Sequence, residues 1–356
     1  MILREATAAD WPQISEFFLD TPLQSGTSFV LDRRPAFGAL PALRGSFRSF
    51  LVFQDHRLAG TVTALWRPAA NGARVVMVGE VIDLRVAPWA RGGRAVFYLL
   101  HAAYDVFVTE RVEWVFCLIG KHNRATSPLV ARSIGLPPLE PLEDFASVNF
   151  VAGRAPRFVA ARGVTVRVAE ESDAALLANA WSESHALERF VPPDSFTWPD
   201  LTGRHRSWLA FRPDGTPCGA LVTWDGASVR RVRIIRYRAA DRPIRAAIAV
   251  AAVLGVTNPL PAPGEVLGLW ASRAIAIPRD DGRTLRALLD AALSAAATAA
   301  QNVLQLNLRG RDPLLRRLPP YPRSTYWSTL YGGPCDGSPL PAAARAERYY
   351  ADLARV

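Results

Sequence analysis

The stretch GEVIDLRVAPWARGGRAVFYLL, residues Gly79 to Leu100, decides how this chain is read. Glu80 to Val86 alternates toward β-branched and apolar residues and predicts a strand, which Ala87-Pro88 ends. Arg91-Gly92-Gly93-Arg94 then forms a glycine-bearing loop, and Ala95, Phe97, Leu99, Leu100 and Ala103 carry a helix away from it. Glycines at a strand-to-helix turn let backbone N–H groups approach an anion, and the helix N-terminus adds partial positive charge. The place suits a pyrophosphate. An ordinary turn is the bland reading of the same two glycines.

Working outward, the chain repeats itself. Leu3-Arg4-Glu5-Ala6-Thr7-Ala8-Ala9-Asp10 matches Val166-Arg167-Val168-Ala169-Glu170-Glu171-Ser172-Asp173. Each is an alternating strand that reaches an aspartate where a helix begins, and each aspartate is expected to cap that helix. Amphipathic helices follow over Trp11 to Phe18 and Ala174 to Ser182. A hairpin from Ser49–Phe53 to Leu58–Trp66 is matched by Ser207–Phe211 turning at Asp214-Gly215 into Cys218–Trp224. The copies are offset by about 160 residues, the size of a domain and too long for a solenoid unit. The expected organisation is a domain over residues 1–155, a second over 164–336 and a helical tail over 337–356. The linker is GRAPRFVAARG, Gly153 to Gly163. Strand, helices, hairpin and two strand–helix units in each copy predict an α/β fold, a mixed and mostly antiparallel sheet flanked by helices.

Three ordered features together resemble the GCN5-related N-acetyltransferase (GNAT) family. A Leu-Arg-x-Ala-x-x-x-Asp opening is the first. A strand ending in Val-x-Pro before the Arg-Gly-Gly loop is the second. The third is a strand over Trp114 to Ile119, then Asn123, then a helix closing on Ser133-Ile134-Gly135-Leu136. The resemblance covers roughly the first domain. It implies that backbone groups of Leu84, Arg85 and Val86 pair with a pantetheine arm. Arg91, Gly92, Gly93, Arg94 and Ala95 would hold the pyrophosphate, and Asn123 would touch the cofactor. Glu80 stands where members of the family place an acid near the substrate amine; a solvent-facing or salt-bridged strand residue is the alternative. By the period-two rule Asp83 lies on the other strand face. The implied activity is acyl transfer from acetyl-CoA, or another acyl-CoA, to a primary amine of a small-molecule or peptide acceptor, with no metal. The sequence departs from the family pattern at Arg94, where glycine is preferred, at Val96, and at Val130 and Ala131, near which a thiolate-protonating tyrosine is expected. In the second copy, Val229–Tyr237 leading into Arg238–Arg245, or Ala274–Ile277 leading through Asp280–Arg283 into a helix, stands in the place of the loop. Neither makes a convincing one, so the second domain is read as having lost its cofactor site.

Composition bounds the alternatives. Among 356 residues the net charge is +10, and Lys121 is the sole lysine, so the basic balance is an arginine balance. The arginines are dispersed rather than run together, which disfavours nucleic acid without removing it from the partners. In RRVRIIRY, Arg231, Arg233 and Arg236 give one basic strand face, either solvated and paired with acids or a carrier-binding surface. Three scattered cysteines offer no metal knuckle and fit a reducing cytoplasm. MILREATAADW lacks the apolar core of a signal peptide, and no run of ~18 apolar residues suggests a membrane span. Two other classes stay open: a catalytically inactive GNAT-fold scaffold, and a transferase whose donor is bound to tRNA or a carrier. The oligomeric state is left open.

Overall fold

The computed structural model describes residues 1–25, 27–121, 123, 136–153, 163–192, 205–277, 281–342, 344 and 347–353. Strands and helices are numbered below within these residues. The first half contains β1 (Ile2–Glu5), α1 (Trp11–Asp20), β2 (Leu23–Ser25), β3 (Thr27–Asp32), α2 (Ala39–Ala42), β4 (Ser46–Gln54), β5 (Arg57–Asn71), β6 (Arg74–Val86), α3 (Ala95–Thr109), β7 (Trp114–Gly120) and β8 (Glu140–Val151). The second contains β9 (Thr165–Val168), α4 (Ala174–His185), β10 (Glu188–Arg189), β11 (His205–Phe211), β12 (Pro217–Asp225), β13 (Arg231–Arg236), α5 (Arg242–Val253), β14 (Val266–Leu267), β15 (Leu269–Ala276), α6 (Gly282–Thr298), β16 (Val303–Arg309), β17 (Arg323–Pro334) and β18 (Arg348–Tyr349).

The two halves share one 12-stranded sheet in the order β1-β4-β5-β6-β7-β17-β8-β16-β15-β12-β11-β9. Read from either end, it passes through equivalent strands of the two copies and meets between β17 and β8. The last strand of each half has crossed over: β17 pairs with β7 along Ser328–Pro334, and β8 pairs with β16 along Phe145–Val151. The expected repeat and α/β class are therefore present, but as one continuous sheet with exchanged strands. A separate 4-stranded sheet, β14-β13-β3-β2, also joins the halves.

The repeat is visible in chemistry as well as topology. Arg4 forks onto Asp10 at 2.8 and 2.6 Å, and Arg167 onto Asp173 at 2.5 and 2.7 Å. These aspartates do not cap α1 and α4 as expected. Each is the third residue of a 3-10 turn before the helix, so its carboxylate folds back to accept the N–H of Thr7 or Glu170, both at 2.8 Å. The Arg167 hydrogen bond holds the Asp173 carboxyl down at about 2. That is below the ~3.9 of a free aspartate, so its stabilisation is complete above about pH 4 and is lost as pH falls through the folded value. Asp173→Asn should therefore lower unfolding free energy by about 1 kcal/mol at pH 7, with the gap to wild type closing toward pH 2 in urea melts.

Two open alternatives are decided and one sequence expectation changes. The RRVRIIRY segment is β13 of the small sheet, paired with β3 from Arg231–Asp32 to Arg236–Ser28. On that strand Arg233 lies 3.3 Å from Asp32 and Arg231 donates to the Arg34 carbonyl at 3.1 Å. The strand–helix unit equivalent to β6–α3 is β15–α6, the second of the two sequence alternatives. The expected tail helix is absent among the described residues. Instead β18 pairs in parallel with β10, and Tyr349 and Tyr350 are buried against the sheet, because these rings find a core rather than a helix stripe. Most of the linker, residues 154–162, lies outside the described residues, as does the helix expected after Asn123.

Candidate functional site

Helices cover opposite faces of the first half. Gly79 sits under Phe107 of α3, and Gly60 under Leu99, so Gly60, Gly79 and Val86 face α3. Arg85 and Glu80 face the other way, toward α1 and α2: the Arg85 guanidinium lies 5.0 Å over the Phe18 ring, and Arg44, just past α2, reaches Glu80.

β6 is held by β5 along its whole length, but β7 pairs with it only at Val78–Trp114, Gly79–Val115 and Glu80–Phe116. Beyond Glu80 the parallel strands part. Residues 81–86 are all partly exposed although they lie in the interior of the sheet order, which makes the parting a groove. Its wall is the edge of Leu84, Arg85 and Val86 that β7 leaves unpaired, a row of backbone donors and acceptors that requires partners. A bulge against Val62 keeps this edge irregular: Thr61 opposes Arg85 and Thr63 opposes Ile82. Asp83 takes φ +59° there, a left-handed backbone that an aspartate tolerates better than most side chains.

At the end of β6 the chain enters the glycine loop. Arg91, Gly92, Gly93 and Arg94 are exposed, Gly92 takes φ +80°, and Ala95 is buried as the first residue of α3. Arg94 occupies the N-cap position and makes no capping bond with its side chain, so the positive end of α3 faces outward beside the glycines. Asn123 follows the end of β7 across the parting, exposed, with its N–H on the Gly120 carbonyl at 2.8 Å. Thus Leu84–Val86 and Arg91–Ala95 form one continuous wall and turn, with Asn123 opposite.

Glu80 is the salt-bridged strand residue of the alternative reading. Arg44 holds one carboxylate oxygen and Arg67 lies 3.5 Å from the other. Asp83 shares its face, contrary to the period-two expectation, because the bulge between them inserts a residue. Its carboxylate meets Arg33 at 2.5 Å, and Arg33 in turn lies over Phe18 and Phe37. Trp11 and Phe18 pack with Phe37 beneath this face.

Sequence reasoning missed three side chains here. Arg85 enters the sequence pattern through its backbone alone, yet its guanidinium donates to the Thr21 carbonyl at 3.2 Å, and burial pushes its pKa down to about 10, against the opposing charge of Asp83 and with Arg33 adding to the fall. Arg230, just before β13, is pushed to about 10 by burial and by Arg33 and Arg44, against the opposing charges of Asp352 and Asp83. Tyr326, on β17 of the other half, places its hydroxyl where a Cβ on Gly120 would lie only 1.8 Å away. Burial pushes that phenol up, and Arg85 draws it partly back. A glycine closing strand β7 was the signal that something approaches closely there. Cys117, one residue past the last paired position, is pushed up to about 12 by burial and then by Glu80, so it carries no thiolate near neutral pH.

The second half shows the same parting with a different ending. β15 and β16 pair from Leu269–Val303 to Ala271–Gln305 and then diverge around a cavity of about 1010 Å³. Asn307 bridges that parting by donating to Ser272, from its backbone to Oγ at 2.8 Å and from its side chain to the carbonyl at 2.9 Å. At the start of α6, Asp281 caps the helix, accepting the Arg283 N–H at 3.0 Å and the Thr284 hydroxyl at 2.8 Å. A carboxylate thus stands at the start of α6, where the start of α3 carries no side-chain cap. Among the described residues no group of three or more His, Cys, Asp and Glu could hold a metal ion, and no helix is long and apolar enough to cross a membrane.

Comparison with protein-family models gives no match, and neither does comparison with curated proteins. Solved structures do match. A GCN5-related N-acetyltransferase from Sphaerobacter thermophilus is similar over 94% of this chain and 95% of its own, at 16% identity and a TM-score of 0.59. Saccharomyces cerevisiae N-myristoyltransferase with bound myristoyl-CoA is similar over 93% of this chain and 78% of its own, at 11% identity and a TM-score of 0.56. A further structure of the yeast enzyme with myristoyl-CoA covers 93% and 82% at a TM-score of 0.54. With the exchanged twelve-stranded sheet, the parted strands and these neighbours together, the chain has the fold of a tandem GCN5-related N-acetyltransferase.

Proposed function

We infer that this chain is an acyl-CoA-dependent N-acyltransferase whose donor binds the first half. The observation that carries the reading is the contrast between the two partings. The first is open along Leu84–Val86 and ends at an uncapped helix beside Gly92 and Gly93; the second also holds a cavity, but Asn307 bridges its strands and Asp281 caps its helix. The pantetheine would run along the free edge of β6, and the pyrophosphate would sit on the N–H groups of Arg91 to Ala95, with Asn123 across from the thioester. The yeast neighbours hold myristoyl-CoA, which supports a CoA thioester as donor. Acetyl-CoA is the favoured thioester because the rings of Phe116, Phe190 and Tyr349 fill the base of the parting on the acceptor face, where a long chain would need room.

In the reaction the amine nitrogen attacks the thioester carbonyl, the C–N bond forms, the C–S bond breaks and CoA leaves as a thiolate. The exposed backbone of the bulged strand polarises the carbonyl. Both carboxylates of β6 are engaged by arginines, so the amine's proton passes to water in the groove. Tyr326 supplies the proton to the thiolate, in the role that the family fills from a helix of its own half. Its phenol, raised by burial, remains protonated through neutral pH.

Isothermal titration of acetyl-CoA into the full chain tests the donor: one site at micromolar affinity is expected, and no binding would leave the scaffold reading in front. Tyr326→Phe tests the acid. It should lower kcat by about tenfold to a hundredfold with acetyl-CoA affinity retained, and the loss should shrink with donors whose thiol leaving group is more acidic. An unchanged kcat would remove the tyrosine from the mechanism.

A further inference from the structure

Helix α5 turns little of itself to the core. From Arg242 to Val256 the sequence is RPIRAAIAVAAVLGV, apolar on every side except at its two arginines. A helix of that composition belongs in a core or against another apolar medium. Yet Ile248 is the one buried residue among its twelve, whereas α6, also rich in alanine, buries seven. Val253 is 88% exposed, Leu254 72%, Val250 62% and Ile244 56%, and the flanking Ile235 and Val256 are exposed as well. The helix is nevertheless held at both ends. The Arg245 guanidinium lies 4.0 Å over the Tyr237 ring, and the Tyr237 hydroxyl donates to the Pro261 carbonyl at 2.8 Å. Past the last turn, Asn258 donates to the carbonyls of Ala297 and Gln301 at 2.9 and 2.7 Å.

Charge accompanies the apolar face. Arg242 shares the outward stripe with Ala246, Ala249, Val250 and Val253, at helical spacing. Arg236 and Arg238 precede it, and all three arginines are exposed and form no ion pair among the described residues. Asp241 is the sole acid between Ile234 and Val256; it is half-buried and takes the Thr27 hydroxyl at 3.4 Å. An apolar stripe with unneutralised arginines at one end fits an apolar layer faced with anions. A protein partner fits it less well. Twelve residues make a helix about 18 Å long and about 10 Å across, a footprint of roughly 200 Å², against ~800 Å² per partner in a stable protein interface.

We propose that α5 lies in the surface of an anionic lipid bilayer, with Val250 and Val253 among the acyl chains and Arg236, Arg238 and Arg242 on lipid phosphates. The helix does not span: at about 18 Å it is shorter than the ~30 Å hydrocarbon core. A bilayer needs no shaped complement, so a small face is enough. Affinity there is the sum of buried apolar area and the attraction of basic side chains to the headgroups, and the second part is screened by salt. The inference is independent of the acyl-transfer reading, because it concerns where the chain sits and not what it transfers.

The test is co-sedimentation of the full chain with vesicles of equal parts phosphatidylcholine and phosphatidylglycerol, against vesicles of phosphatidylcholine alone. The anionic vesicles should bind about tenfold or more tightly, and the difference should shrink as salt rises. Val250→Gln with Val253→Gln leaves the net charge unchanged and alters two exposed side chains, so the variant should stay folded, with circular dichroism as the check. It should bind the anionic vesicles about tenfold or more weakly. Arg236→Gln, Arg238→Gln and Arg242→Gln together should weaken binding by a similar factor and remove most of its salt dependence. No sedimentation with the anionic vesicles would overturn the proposal, as would equal binding to both kinds. Undiminished binding by the valine variant would also overturn it, by assigning the attraction to the net charge of +10 alone. Light scattering without lipid reads the remaining occupant. The valine variant should leave the mass in solution unchanged, and a dimer that it dissociates would give the face to a second copy of the chain and overturn the proposal.

Discussion

Replacing Gly92 and Gly93 together by aspartate should abolish acetyl-CoA binding while leaving the protein folded. The two glycines lie in an exposed turn before α3, and nothing stands within 4 Å of a Cβ placed on Gly92. A Cβ on Gly93 would meet the Ala90 carbonyl at 3.3 Å and the end of the Met1 side chain at 3.9 Å. The φ of +80° at Gly92 costs a side chain about 1 kcal/mol, and aspartate is among the residues that tolerate it best. Two carboxylates at the proposed pyrophosphate seat are far more damaging to the ligand. Like charges a few ångströms apart near a protein surface repel by about 3–4 kcal/mol, which is a hundredfold or more in affinity. The second half provides an internal precedent, because Asp281 occupies the same helix terminus there. Calorimetry on wild type and variant, with circular dichroism as the folding control, checks the outcome. A folded variant that still binds acetyl-CoA would move the phosphates elsewhere; a wild type that does not bind would remove the donor altogether.

What the sequence disclosed, and what it withheld, follows the range of the interactions involved. The Arg4/Asp10 and Arg167/Asp173 pairs are six residues apart, so the repeat they mark was readable, even though the 3-10 turn redirected each aspartate from capping to a fold-back. The strand, loop and helix from Glu80 to Ala103 are local and stand where the pattern placed them. One inserted residue at the bulge was enough to bring Asp83 to the face of Glu80, and strand alternation alone carries no signal of a bulge. The ambiguity in the second copy had the same origin. Val229–Tyr237 before an alanine-rich helix and Ala274–Ile277 before α6 look alike locally, and only pairing with β3 or with β12 separates them. Arg33 and Tyr326 reach the groove from separate stretches of chain, and Tyr326 does so through a strand exchange. No spacing rule brings them together.

The exchange leads to the second large expectation: residues 1–153 expressed alone should give no folded monomer. Within the full chain, β17 separates β7 from β8, and β8 has β16 on its other side. Removing the second half leaves β7 with one open edge and β8 with two, each a row of unpaired backbone groups on an apolar strand. It also empties a core: Phe145, Phe116 and Val78 are buried against Phe190, Leu330 and Tyr349, all of which come from the second half. Losing several aromatic and aliphatic partners costs more than the whole stability of a typical domain, at roughly 2–5 kcal/mol for each large side chain. The pseudo-symmetry offers the fragment one escape. Since β8 and β17 are equivalent strands, two copies of the first half can exchange β8 for β8 and rebuild the centre of the sheet as a dimer. Light scattering with circular dichroism should therefore find either unfolded material or a dimer, and co-expression with residues 163–356 should recover a one-to-one complex with the sheet restored. A first half that is monomeric and unfolds cooperatively would mean that β7 and β8 pair directly when β17 is absent, and the two copies would then be independent domains that merely share strands when joined.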